Sequence, residues 1–403
     1  MLCYKLNRDD GIDPMELNEL PPKDGAQRAY CEACKGPLDL VFVRFHEMVS
    51  GVEIDMNDAP QLECPACGLR TLPDRTRFSI MYAHEIATKE GLPAFKSNRK
   101  KIVKDFGFTN VPFRYDPDDY YYYPGLERPW DIGFLTPLFF NRTVLTKYDA
   151  DPRYLIRFAS PTYGDIVFED QFSFPFGINR HGHLLMWLGD IAKLPKPEQY
   201  YLMSESRPSD HCIASEFYDG QIECIFTDLP RESVLFAARS EFLAACFSRW
   251  GAKLAHLDTE VLDLAGTLRR PVHDTQAKRH SVSDILNKVH LESLDNAKIG
   301  AILSRANIEC KGTGSLKRLQ ALLASAGDPI RVNVIMSPFY TLYDFRVAYS
   351  HLGSSEGSAA TMKTVTDRLA IAADSSLQDI YDKLLGAMTA SYVELTAIVT
   401  GDA

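Results

Sequence analysis

Two cysteine pairs constrain this chain more than any other feature: Cys31-Glu32-Ala33-Cys34 and Cys64-Pro65-Ala66-Cys67-Gly68. A spacing of two residues aims both thiols of a pair at one point. Two such pairs supply the four soft ligands of a tetrahedral ion and leave no coordination position open. Between them, after the turn Gly36-Pro37, the apolar residues Leu38, Leu40, Val41, Phe42, Val43 and Phe45 read as a strand. The pattern predicts a zinc ribbon, with structural Zn2+ held by Cys31, Cys34, Cys64 and Cys67. No βαβ pattern surrounds either pair, which argues against a redox role. The remaining alternative is four unrelated thiols that happen to pair twice.

A chain of 403 residues has room for two or three domains and a sizeable core. Its net charge of -10 argues against nucleic-acid binding by the whole surface, so any such contact needs a local basic patch. The nine cysteines are odd in number, and Cys3, Cys212, Cys224, Cys246 and Cys310 are scattered. That usage predicts reduced thiols and a cytoplasmic protein. The stretch Met1-Leu2-Cys3-Tyr4-Lys5-Leu6-Asn7-Arg8 lacks the apolar core of a signal peptide. The most apolar helical run, 234–247, is interrupted by Arg239 and Glu241. No membrane span and no membrane partner are expected.

Three segments follow from the patterning, giving an α+β multidomain chain. Residues 1–110 read as the ribbon module, ending in the basic stretch Lys96, Arg99, Lys100, Lys101 and Lys104. That stretch is expected to be a solvated helix face, with phosphate contact as the alternative. Residues 111–232 read as a β-rich middle domain, with strands expected at 134–140, 154–158, 166–168, 184–188 and 221–226. Within it His181, His183 and Asp210-His211, with Cys212, offer metal ligands. The sequence favours a plain hairpin turn at 179–182, because no helix carries paired ligands. From 233 to 403 the period becomes 3.6, with helices expected at 233–256, 282–307, 315–325, 338–352, 359–373 and a last one from 377. The Gly- and Ser-rich stretch 353–360 reads as a loop. Arg269, Arg270, Lys278, Arg279 and His280 form a basic connector that reads as a charged loop or an RNA path.

One helix carries candidate chemistry. Ser337 reads as its N-cap, Pro338 as its first residue and Gly353 as its stop. On it lies Tyr343-Asp344-Phe345-Arg346-Val347-Ala348-Tyr349-Ser350-His351-Leu352. An arginine separated by four residues from a histidine in such a helix resembles the motif of the HEPN superfamily. The resemblance covers at most about the last 170 residues. It implies an all-α helical bundle, a homodimer in which two motif helices face each other, and a metal-independent ribonuclease, with a place in antiviral defence or a toxin system and a possible protein regulator. RNA is then the partner. His351 would move protons at the ribose 2′-OH, Arg346 would clamp phosphate, and Asp344 would orient one of them. Val347 departs from the polar residue common after the arginine in active members. The alternative is a non-enzymatic scaffold that binds nucleic acid or protein through the ribbon and dimerises through its helices.

Overall fold

A computed structural model describes residues 15–20, 27–169, 171–225, 229–256, 259–310, 312–350 and 355–401. The chain forms two compact units, Met1–Asp228 and Leu229–Ala403. The first carries two sheets, and the second is helical.

The first sheet is built on one long hairpin. Strands β1 (Asp39–Val49) and β2 (Val52–Glu63) pair antiparallel from Asp39↔Glu63 to Val49↔Val52. Ser50 and Gly51 form the tip, both with left-handed backbone (φ 42 and 86). Two positive φ values in a two-residue loop match the right-handed twist of the strands. An extra residue enters β2 between the pairs Val43↔Ala59 and Phe45↔Met56, where Asp58 has φ 55. Such a bulge bends the ribbon and lets a long hairpin coil. Strand β3 (Arg70–Thr71) joins the end of β2, and β4 (Ala94–Asn98) pairs parallel with its first half. The helix Asp74–Glu90 covers one face, burying Ile80, Ala83 and Ala87 against Phe45, Val49, Val52 and Ile54.

The second sheet contains β5 (Pro137–Phe140), β6 (Tyr154–Ser160), β7 (Tyr163–Phe168), β8 (Phe172–Ile178), β9 (Leu184–Trp187) and β10 (Ser206–Arg207). Their order is β10-β5-β9-β8-β7-β6, antiparallel throughout. The adjacent interior strands β5 and β9 are buried at every position, which explains their unbroken apolar sequence. Trp187 stacks on Phe217 with ring centres 4.8 Å apart. One apolar core joins Leu38, Leu40, Leu62 and Cys64 to Tyr120, Phe139, Trp187 and Tyr218. The segments expected as a ribbon module and a middle domain thus share a core.

The helical unit packs Arg231–Trp250, Gln276–Asn287, Ser337–Ser350 and Leu377–Thr400 around Phe242, Leu286, Phe345, Leu384 and Leu395. Ser376 caps the last helix in a reciprocal box with Asp379.

Several local expectations are corrected. The basic stretch is no helix face: Lys96 lies in β4, and Arg99 to Lys104 follow it without regular secondary structure. Residues 216–223 are helical, with Ser215 accepting from Tyr218 N as N-cap, where a strand was expected over 221–226; Phe226 lies outside the described residues. The helix expected over 282–307 is interrupted after Glu292, where Asp295 caps a new helix, Asn296–Arg305. Ser337 is already helical, because the helix Pro329–Ile335 ends just before it. Residues 355–360 are helical where a loop was expected. Among the described residues, no helix is long and apolar enough to cross a membrane.

Candidate functional site

The hairpin explains how cysteines 30 residues apart in sequence meet. Cys34 precedes β1, Cys64 follows β2, and the Asp39↔Glu63 pair closes the base between them. Each pair folds into the same tight turn. Cys31 N donates to Gly36 O and Lys35 N to Cys31 O, at 2.8 and 2.9 Å. Cys64 N donates to Leu69 O and Gly68 N to Cys64 O, both at 2.8 Å. The residue after each second cysteine is left-handed, Lys35 at φ 61 and Gly68 at φ 71.

The four thiols are free, with Cys31 and Cys64 buried and Cys34 and Cys67 at the surface. Their sulfurs lie 3.4 Å (Cys34–Cys64), 3.6 Å (Cys31–Cys67) and 3.7 Å (Cys34–Cys67) apart. A tetrahedral ion with sulfur bonds of about 2.3 Å needs edges of about 3.8 Å. The four cysteines are therefore placed to bind one metal ion. Burial pushes the Cys31 thiol up, but donors from the Cys34 and Ala33 amides and the Cys67 and Cys34 thiols outweigh it and bring it to about 7. The Leu69 amide draws Cys67 down, yet burial and its neighbouring thiols push it to about 12. The Cys31 thiol is thus poised to ionise, while those of Cys34 and Cys67 are pushed up.

A second cluster sits at the β8–β9 turn. His183 Nδ1 and His181 Nδ1 approach Asp210 Oδ2 at 2.7 and 3.0 Å. Asn179, buried at 3% exposure, ties the cluster together. Its Oδ1 accepts from the backbone N–H of His181 and of His183, both at 3.0 Å. Its Nδ2 donates to Asp210 Oδ2 at 2.9 Å and to Cys212 O at 3.1 Å. Gly182, at φ 78, makes the turn. Cys212, a ligand only in the alternative to a plain turn, is buried, its thiol pushed up to about 12 chiefly by burial. His211 turns instead to Asp119, Nδ1 to Oδ1 at 2.7 Å.

On the motif helix, the structure separates the two expected residues that it describes. Arg346 Nη2 lies 3.1 Å from Glu292 Oε1, and its Nε lies 3.8 Å from Asp284 Oδ1. Asn287 donates to the same Glu292 oxygen at 2.8 Å and so fixes it. Asp344 accepts from Arg368 at 2.6 Å on another helix and does not pair with Arg346. Arg346 Nε is buried and has no hydrogen-bond partner among the described residues. His351 lies outside the described residues. Tyr343 is half exposed, while Phe345 and Leu342 are buried in the core.

The basic segments are largely neutralised. Lys101 pairs with Asp116 at 2.8 Å, Arg99 with the buried Asp118, and Lys96 with Asp55 at 3.7 Å. In the helical unit Arg270 pairs with Asp382 at 2.9 Å and Arg279 with Asp274 at 2.6 Å. Sequence reasoning missed Asn179, Asp284, Asn287 and Glu292. Of these, only Asn179 left a trace, as a turn-forming residue ahead of Gly182.

No protein-family model, curated protein or solved structure matches the chain.

Proposed function

We propose that the chain is a cytoplasmic, metal-independent endoribonuclease of HEPN type that works as a homodimer, with a ribbon stapled by structural zinc. Its biological setting would be antiviral defence or a toxin system, under the control of a protein regulator. The observation that supports this reading is Arg346: a guanidinium on the motif helix whose buried Nε–H has no acceptor among the described residues. A buried donor without a partner is costly, and a phosphate oxygen supplies the acceptor it lacks.

In this reading Glu292 and Asp284 hold the guanidinium in place until substrate arrives. Glu292 is half exposed and yields to a phosphate. His351 removes the 2′-OH proton, the oxygen attacks phosphorus, and the P–O5′ bond breaks as the imidazolium returns that proton to the leaving 5′-oxygen. Arg346 neutralises charge on the phosphorane. The helical face bearing half-exposed Tyr343 meets its copy across the dimer. In the ribbon, all four thiolates are consumed by zinc, so the ion stabilises and does no chemistry.

A second reading has its own observation. Arg346 already has two carboxylate neighbours within its own unit, which suits a structural arginine in a non-enzymatic scaffold. Purified protein incubated with total RNA in EDTA separates the two. The nuclease reading expects degradation that His351→Ala abolishes. Intact RNA, or equal degradation by that variant, overturns it.

A further inference from the structure

The β8–β9 turn carries more than a turn needs. Asp210 Oδ2 faces three nitrogen atoms: His183 Nδ1 at 2.7 Å, Asn179 Nδ2 at 2.9 Å and His181 Nδ1 at 3.0 Å. A carboxylate oxygen has two lone pairs, so three donors over-subscribe it. Its other oxygen is occupied, accepting from Cys212 N and from Asn179 Nδ2, each at 3.1 Å. A cation beside Oδ2 would remove the conflict, because both Nδ1 atoms could then turn lone pairs toward it.

We propose that His181, His183 and Asp210 bind a divalent first-row transition-metal ion, distinct from the one at the four cysteines. Ligand bonds of about 2.1 Å set at right angles give edges of about 3.0 Å, and tetrahedral ones about 3.4 Å. The observed histidine–carboxylate separations of 2.7 and 3.0 Å lie at or just below the compact end, where each imidazole is cis to the carboxylate, and all three ligand atoms fall within 4.8 Å of one another. Two imidazoles and one carboxylate on a face are the donor set of first-row divalent ions and leave the opposite positions to solvent or substrate. The side chains of His181, His183 and Asp210 are 44%, 22% and 20% exposed, so the open side reaches water.

The surrounding shell is the kind that metal ligands need. Asn179 is buried, and its one amide fixes both ligand-bearing stretches: Oδ1 holds the backbone of the two histidines, and Nδ2 holds the carboxylate. Arg180, between Asn179 and His181, is anchored on Asp39 at the start of β1, with Nη1 to Oδ1 at 2.8 Å. The turn is therefore pinned on both sides before any ion arrives. The site is independent of the ribonuclease reading.

Metal analysis of the full chain, prepared with zinc and freed of loose ions, tests the proposal. Wild type should hold about two ions per chain, and the double variant His181→Ala/His183→Ala about one. In parallel, Co2+ titrated into metal-stripped protein given one equivalent of zinc, which the four cysteines take first, should give d–d bands without sulfur charge transfer. Asp210→Asn should weaken that Co2+ binding at least about tenfold. Thermal melts matching wild type in the metal-stripped state keep a folding defect from imitating ligand loss. One ion per chain in wild type, or two ions and unchanged Co2+ spectra in the variants, overturns the proposal.

Discussion

Arg346 and Glu292 stand 3.1 Å apart, nitrogen to oxygen, in an ion pair that Asn287 braces from the carboxylate side. The pair joins the motif helix to the π-helical turn Lys288–Glu292. A guanidinium held this way has its direction set in advance, and the partner that holds it also competes with any phosphate.

That competition is measurable. Glu292→Gln keeps the oxygen that accepts from Asn287 and removes the charge. Exposed ion pairs are worth up to about 1 kcal/mol, so binding of a short single-stranded RNA should tighten by up to about fivefold. Fluorescence anisotropy reads the change. Weaker binding by the variant would mean that Arg346 does not meet the phosphate.

The cysteine cluster gives a stability prediction. Cys64→Ser removes a buried thiol from the point where the hairpin base, the core and the cysteine cluster meet. The variant should lose the sulfur-bound ion and destabilise the first unit by about 3 kcal/mol or more. Elemental analysis and denaturant unfolding check both halves. A metal-free variant with unchanged stability would leave the cluster without a structural role.

Packing at the sheet centre is tight enough to test with one methyl group. A Cβ on Gly177 would lie 2.6 Å from Phe217 Cβ and 2.9 Å from the edge of the ring that stacks on Trp187. Gly177→Ala should cost about 1–3 kcal/mol by overpacking. Gly51→Ala at the hairpin tip meets no atom, and its cost comes from φ 86 alone. Urea midpoints compare the two.

His290 makes stability depend on pH. The ring is buried against Phe236, its Nδ1 meets the Tyr392 hydroxyl at 3.0 Å, and its Nε2 has no partner among the described residues. Burial first, then the Arg239 charge, holds its pKa well below the ordinary 6.5. The unfolded chain therefore takes up a proton below about pH 6.5 that the folded chain refuses. This contribution is fully present above that pH and is lost as pH falls, with a slope of at most about 1.4 kcal/mol per pH unit. Thermal melts between pH 7.5 and about 5 should show the decline. His290→Asn should flatten it, and an identical decline in that variant would place the titrating group elsewhere.

Much of this architecture is legible in the sequence, and the failures have physical causes. The cysteine pairs and the apolar run after Gly36-Pro37 announce a hairpin base, because both are local patterns. The helix Asp74–Glu90 escapes notice because its buried face includes Thr76 and Arg77. Their polar atoms bond to the carbonyls of Pro60 and Leu72, so no apolar stripe marks the face. The cations at 96–104 look solvated because their partners Asp55, Asp116 and Asp118 lie on other elements. The cluster at His181 and His183 looks like a bare turn for the same reason. Asp210 is 27 residues past His183, and only the fold places them 2.7 Å apart.

The most direct test of the central claim is the rate of RNA cleavage in chelator by Arg346→Ala against wild type, with both melting alike. The account predicts a loss of at least about 100-fold, the scale of a lost transition-state contact. Cleavage at an undiminished rate would contradict it and place any nuclease chemistry away from the motif helix.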